Sequence, residues 1–134
     1  MRRLLSLAIM VVTLVTASTF VSGEALAYGG GCNYYNYPVG FRVNSCISAA
    51  GDYAFADEYI DAVPSGCTSI EARLIERNGN WYTPKVLSGF APCRTGYFRT
   101  GDTYMVQGLR YFNEVCIKRY GQLTYCSKSP EVWR

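Results

Sequence analysis

The chain predicts an all-β fold: a small disulfide-stabilised antiparallel sandwich or barrel with an extended N-terminal arm. Three observations point there. From residue 39 onward apolar and polar residues alternate with a period near two, and turn residues break that alternation at short intervals. Six cysteines in an even set supply the staples that a small exported domain needs. Many tyrosines and β-branched residues over roughly 95 positions suit a sandwich or barrel with several short strands.

The first element is not part of that fold. Arg2 and Arg3 give a positive start, "LLSLAIMVVTLV" an apolar run, and Ala25 and Ala27 an A-x-A close. This is the pattern of a secretory signal over residues 1–27. A membrane anchor is the competing reading, but the run falls short of the roughly 20 residues that span a bilayer. Removing 27 of the 134 residues leaves 107, one domain of modest size. The signal holds two Arg and one Glu, so 11 basic and 9 acidic side chains remain, net +2. That charge is too mild to imply nucleic acid or an anionic membrane as partner. The expected product is secreted and extracellular, with no membrane association after cleavage.

Residues 28–38 form the second element, "YGGGCNYYNYP", an extended Gly/Tyr-rich arm. Twelve Tyr, two Trp and the five Phe outside the signal are more aromatic surface than a core this small hides. Tyrosine offers large contact area with few rotors, and with Gly, Ser and Asn it is the chemistry of antibody contact loops. Tyr28, Tyr34, Tyr35 and Tyr37 are therefore the candidate partner-binding residues, tethered if Cys32 bonds to the body of the domain. The alternative is that they pack on their own domain as a cap.

Residues 39–134 are the β-domain. "FRVNSCIS" places Phe41, Val43 and Ile47 on one side. "SAAGDYAFADEYIDAVPSG" reads as a strand by its aromatics, with a short helix as the alternative because Phe55, Tyr59 and Ala62 also fit a helical face. "CTSIEARLIER" sets Ile70, Ala72 and Leu74 against Arg73 and Arg77, then meets the hairpin signal Asn78-Gly79. Pro84 marks the returning segment as an edge strand. A second turn is expected at Gly101-Asp102, followed by a long strand reaching Ile117. Gly121 then folds the chain back and brings Cys116 opposite Cys126.

Cys32, Cys46, Cys67, Cys93, Cys116 and Cys126 are expected to form three disulfides, each contributing ~3 kcal/mol. Zinc is the rival, but no C-x2-C spacing occurs and there is no histidine, so no metal and no cofactor are expected. The missing histidine also removes Ser-His-Asp and Cys-His nucleophile systems. Carboxylates remain: Asp52, Asp57, Glu58 and Asp61 form the densest group, and two facing a cleft would suit glycosidic chemistry. A solvated acidic face explains them more simply, and no catalytic residue is assigned.

Two binding motifs are left. Pro92, Cys93 and Arg94 suit a disulfide-tethered loop that offers Arg94 to a trypsin-like enzyme, the layout of a proteinase inhibitor. Trp81 and Tyr82, just past a tight turn, suit stacking on sugar rings in a small glycan-binding module.

A cleaved signal, "YGGGCNYYNYPVG", six cysteines and a compact β-body without catalytic groups resemble the small secreted adaptor subunits of bacterial umbrella toxin particles. The resemblance lies in size and layout across the mature chain. It implies a role in bacterial competition, joining a lectin-type subunit to the large ring-forming toxin subunit. It also implies that Tyr28 to Tyr37 insert into a groove of the ring while the β-domain holds the lectin.

Overall fold

A computed structural model describes residues 28–82 and 87–134. The signal segment 1–27 and the edge strand expected at Pro84 lie outside them. Eleven strands run in chain order and, among the described residues, no helix appears: β1 Tyr28–Gly29, β2 Gly31–Tyr37, β3 Phe41–Ala50, β4 Tyr53–Ala62, β5 Cys67–Asn78, β6 Trp81–Tyr82, β7 Leu87–Ala91, β8 Gly96–Tyr104, β9 Arg110–Arg119, β10 Gln122–Lys128 and β11 Val132–Trp133. The fold is all-β, as the alternation predicts.

Two antiparallel sheets face each other. The smaller has the order β2-β3-β4-β8. The larger is centred on β9, which pairs with β5 on one side and with β10 and β11 on the other; β6 and β7 then pair with β5, and β1 with β11. Phe41, Val43, Ile47 and Ile60 point inward from the smaller sheet and Ile70, Ala72, Leu74 and Ile117 from the larger, each less than 3 % exposed. The alternation in β3 and β5 therefore means what it means in any half-buried strand: one face packs, the other meets water.

Residues 53–62 are strand, paired with both β3 and β8. Burial alternates cleanly there, with Ala54, Ala56, Glu58 and Ile60 inside and Tyr53 and Tyr59 out. The turn expected at Gly101-Asp102 is corrected. β8 runs straight through it, and Gly101 (φ +145°) sits beside a bulge that inserts Thr100 between the Arg99 and Gly101 registers. A glycine in a strand marks a bulge as readily as a turn. The long strand expected to reach Ile117 accordingly begins only at Arg110, after a turn at Gln107-Gly108.

The three disulfides are Cys32–Cys46, Cys67–Cys93 and Cys116–Cys126. The last is the pairing expected from the return at Gly121, and Tyr120-Gly121 form its tight turn with φ of +50° and +81°. Two bridges link adjacent strands with Cα–Cα distances near 4 Å (4.1 and 4.0 Å), the close spacing of non-hydrogen-bonded pairs. The third ties the start of β5 to the loop after β7. Three closed bridges fit an oxidising, extracellular setting.

The glycines at the amino end have a definite task. β1 belongs to the larger sheet and β2 to the smaller, and the chain crosses between them at Gly30. Gly30 has φ +98°, and its N–H donates to the Glu131 carbonyl at 2.8 Å. A Cβ there would lie 2.8 Å from the Ile47 carbonyl oxygen and 3.0 Å from Val132 Cγ1, so only glycine fits. The Glu131 side chain, in turn, accepts from Arg77 at 2.7 Å and Arg110 at 3.0 Å. Burial raises its pKa, but the two guanidiniums outweigh that and hold it below the usual carboxylate value.

The core is in two apolar parts, one around Phe41, Val43 and Ile117 and one around Ile47, Leu74 and Tyr111. Other buried residues are polar. Glu58 is 1 % exposed and accepts from the Thr100 hydroxyl at 2.8 Å and the Asn113 amide at 3.3 Å. Asn113 also donates to the Asp57 carbonyl at 2.8 Å, which stitches β9 to β4 across the sandwich. Ser45 and Ser127 join the same two sheets at 2.8 Å. Burial pushes the Glu58 carboxyl up to about 6. The hydrogen bonds from Thr100 and Asn113 act the other way, favouring the carboxylate, but burial outweighs them. The single Thr100 proton lies within reach of both Glu58 Oε2 and Asn113 Oδ1, at 2.8 and 3.1 Å. A protonated Glu58 donates to Thr100 and frees that hydroxyl to donate to Asn113.

Candidate binding surface

The outer face of β4 and β8 gathers four of the exposed aromatics. Because side chains alternate, Tyr53, Phe55, Asp57 and Tyr59 share this face, and the antiparallel register sets them against Tyr104, Asp102, Arg99 and Tyr97 in turn. Tyr59 and Tyr97 are 5.1 Å apart between ring centroids, and Tyr53 meets Tyr104 edge-on at 5.7 Å. All four tyrosines are about half exposed, from 46 to 54 %.

Charges between the rings are already paired. Arg99 reaches Asp102 at 2.8 Å and lies 5.5 Å above the Phe55 ring. Arg134 binds Asp52 at 3.0 Å and the Tyr104 hydroxyl at 2.8 Å. The Tyr97 hydroxyl donates to Asp57; partial burial and that carboxylate both raise its pKa, so the phenol stays protonated at neutral pH. Beside Tyr59, a shallow depression of about 210 Å³ opens between Gly31, the Cys32–Cys46 bridge and Asp57. Rigid rings with internally satisfied polar groups present contact area at low entropic cost.

The arm residues lie elsewhere. Residues 28–38 are extended, as expected, but they are docked on the domain and not free. Tyr28 pairs through its backbone with Trp133, and β2 pairs with β3 along its whole length. Cys32 does bond to the body, at Cys46 on the neighbouring strand, which fixes the segment and does not tether a loose one. Tyr35 and Tyr37 turn inward: their hydroxyls donate to the Lys128 carbonyl at 3.3 Å and the Cys126 carbonyl at 2.6 Å. Of the arm tyrosines with a described side chain, only Tyr34 faces out, 55 % exposed.

The carboxylates of residues 52–61 do not converge. Asp57 is outward and Glu58 inward, as strand geometry requires; Asp61 accepts from Asn44 at 3.1 Å and Asp52 is held by Arg134. Among the described residues, no three potential metal ligands come together. Arg94 sits on an exposed turn closed by its own N–H bonding to the Pro92 carbonyl at 2.7 Å, with its guanidinium 5.7 Å over Phe98. That is a tight bend, not the extended backbone that fits a protease cleft. Trp81 is 82 % exposed, while Tyr82 meets Phe112 edge-on and carries the Lys128 ammonium 5.6 Å above its ring. Both belong to the larger sheet, apart from the β4–β8 face.

Sequence reading did not single out Tyr97, Arg99 and Tyr104. Their alternation within "GYFRTGDTY" was a usable signal, but the turn assigned at Gly101 cut the strand in two. Comparison with protein-family models, with curated proteins and with solved structures gives no match for this chain.

Proposed function

We propose that the chain is a secreted, non-enzymatic protein-binding domain, an adaptor that links subunits of an extracellular toxin complex. The observation that carries this reading is the β4–β8 face: four half-exposed tyrosines set in register on a sheet that the Cys32–Cys46 bridge staples, with their neighbouring charges paired. Exposed aromatic clusters on rigid scaffolds are where binding energy concentrates in protein interfaces. The resemblance to umbrella-particle adaptors supplies the class of partner, a large ring-forming subunit and a lectin-type subunit. The part given to residues 28–37 changes, however. With Cys32 bonded to Cys46, they form a fixed strand of the domain and not an inserting arm.

Pull-down from culture medium with the secreted chain tests this. The wild type is expected to retain large co-secreted subunits, and Tyr59→Ala with Tyr97→Ala to lose at least one of them. Unchanged retention by the double variant counts against the face.

A glycan-binding role is the second reading, favoured by the depression beside Tyr59, where a ring for stacking adjoins the Asp57 carboxylate. Retention of glycans alone, lost with Tyr59→Ala, would select it.

A further inference from the structure

β2 is the outermost strand of the smaller sheet, and its free edge lacks the features that usually keep strand edges apart. Gly31–Tyr37 contains no charged residue and no proline, and its register with β3 runs without a bulge. β8, at the far side of the same sheet, carries Arg99, Asp102 and a bulge, and β1 is two residues long. Charge, bulges and shortness are the common means by which proteins prevent edge-to-edge pairing.

The direction of the free groups follows from the pairing. Cys32 and Cys46 are a non-hydrogen-bonded pair, with Cα atoms 4.1 Å apart. Bonded and non-bonded pairs alternate along an antiparallel ladder, so Tyr34 and Asn36 share the orientation of Cys32. The N–H and C=O groups of these three residues face away from β3, and among the described residues no backbone bond reaches them. The strand is also held rigid, by the disulfide on one face and by the Asn33, Tyr35 and Tyr37 bonds to β10 on the other.

We infer that β2 pairs antiparallel with β2 of a second copy of this chain, about a two-fold axis at Tyr34. Two four-stranded sheets then become one continuous sheet. In this register Cys32 faces the second copy's Asn36, and Tyr34 faces its own counterpart. Every outward N–H and C=O of the three residues finds a partner, with none left over. The strand suits a second copy because it is uncharged, so identical edges meet without repulsion, and because a two-fold contact needs a self-complementary patch. An already ordered edge also loses little entropy on pairing. The inference rests on the strand edge alone and stands apart from the proposed adaptor role.

Sedimentation of the protein recovered from culture medium, over a dilution series, tests it. The wild type is expected to show twice the monomer mass. Tyr34→Lys should sediment as a monomer while its β-sheet circular dichroism and its count of closed disulfides stay unchanged. Mixing it with Tyr34→Glu should restore the doubled mass, since opposite charges then meet at the axis. A wild type that is monomeric throughout overturns the dimer, as does a Tyr34→Lys variant that remains dimeric. A mixture that stays monomeric overturns the two-fold register. Wild type that is monomeric alone, but captures a different co-secreted protein through Tyr34, assigns the edge to that protein and equally overturns the pairing of copies.

Discussion

The hydroxyl of Tyr37 donates to the carbonyl of Cys126 at 2.6 Å, across a seam where β2 and β10 share no backbone ladder. Tyr35 and Asn33 reach the Lys128 carbonyl in the same way. Side chains of one sheet thus satisfy edge carbonyls of the other, and Tyr35 and Tyr37 serve the sandwich first. Tyr37→Phe is expected to lower stability by about 1 kcal/mol, the usual net value of one such bond. Urea unfolding of the two proteins measures it.

Glu58 makes stability depend on pH in the less common direction. Its folded pKa is about 6, above the ordinary 4.5, so the folded state holds this proton more tightly than the unfolded chain does. Its contribution is fully present below 4.5 and is lost as pH rises through 6. The difference corresponds to on the order of 2 kcal/mol. Glu58→Gln keeps a neutral donor facing Thr100, so it should remove this dependence and be the more stable protein at pH 8. Denaturation midpoints at pH 4.5 and pH 8 decide it; equal pH dependence in both proteins would count against a proton held at Glu58.

Gly30→Ala is expected to cost about 2–4 kcal/mol, since a strained φ and two close contacts act together. Gly79→Ala provides the contrast. Gly79 has φ +56° but open space around its Cα, so about 1 kcal/mol should be lost. Thermal melts of the two variants should rank in that order.

The disulfides should differ by loop length. Cys67–Cys93 spans 26 residues, against 14 for Cys32–Cys46 and 10 for Cys116–Cys126. Chain entropy gives ~3.5 kcal/mol for the longest and ~2.7 for the shortest. Paired Cys→Ala variants, unfolded in urea, should therefore be least stable when Cys67 and Cys93 are replaced.

Arg94 offers a direct check on the inhibitor alternative. Because its loop is a closed turn, the protein is expected not to slow trypsin-like enzymes. Inhibition that disappears with Arg94→Ala would reverse this.

Much of the architecture was legible because strand alternation is a local signal. Phe41-Val43-Ile47 and Ile70-Ala72-Leu74 give their inner faces directly, and Gly121 gives the Cys116–Cys126 bridge. What stayed hidden depends on partners distant in sequence. Gly101 signals a break in the strand, but only the β4 register shows that the break is a bulge aiming Thr100 at Glu58. Glu58 looks like one more member of an acidic run until alternation turns it inward toward Asn113. The Gly29-Gly30-Gly31 run suggests looseness, yet it is the narrow crossing between two sheets. The β4–β8 face was half visible in Tyr53 and Tyr59, and became a surface only once Tyr97 and Tyr104 were placed opposite them.

Asn113 bonding to the Asp57 carbonyl, together with Ser45 meeting Ser127, indexes one sheet against the other. Greasy side chains slide past one another at small cost, whereas a shear of one residue pair here would strand several buried donors and acceptors at once. Replacing Ser45 and Ser127 together with alanine removes both partners of one such pair and is therefore expected to cost little stability yet broaden the amide spectrum, giving a sandwich whose halves no longer agree on where to stop.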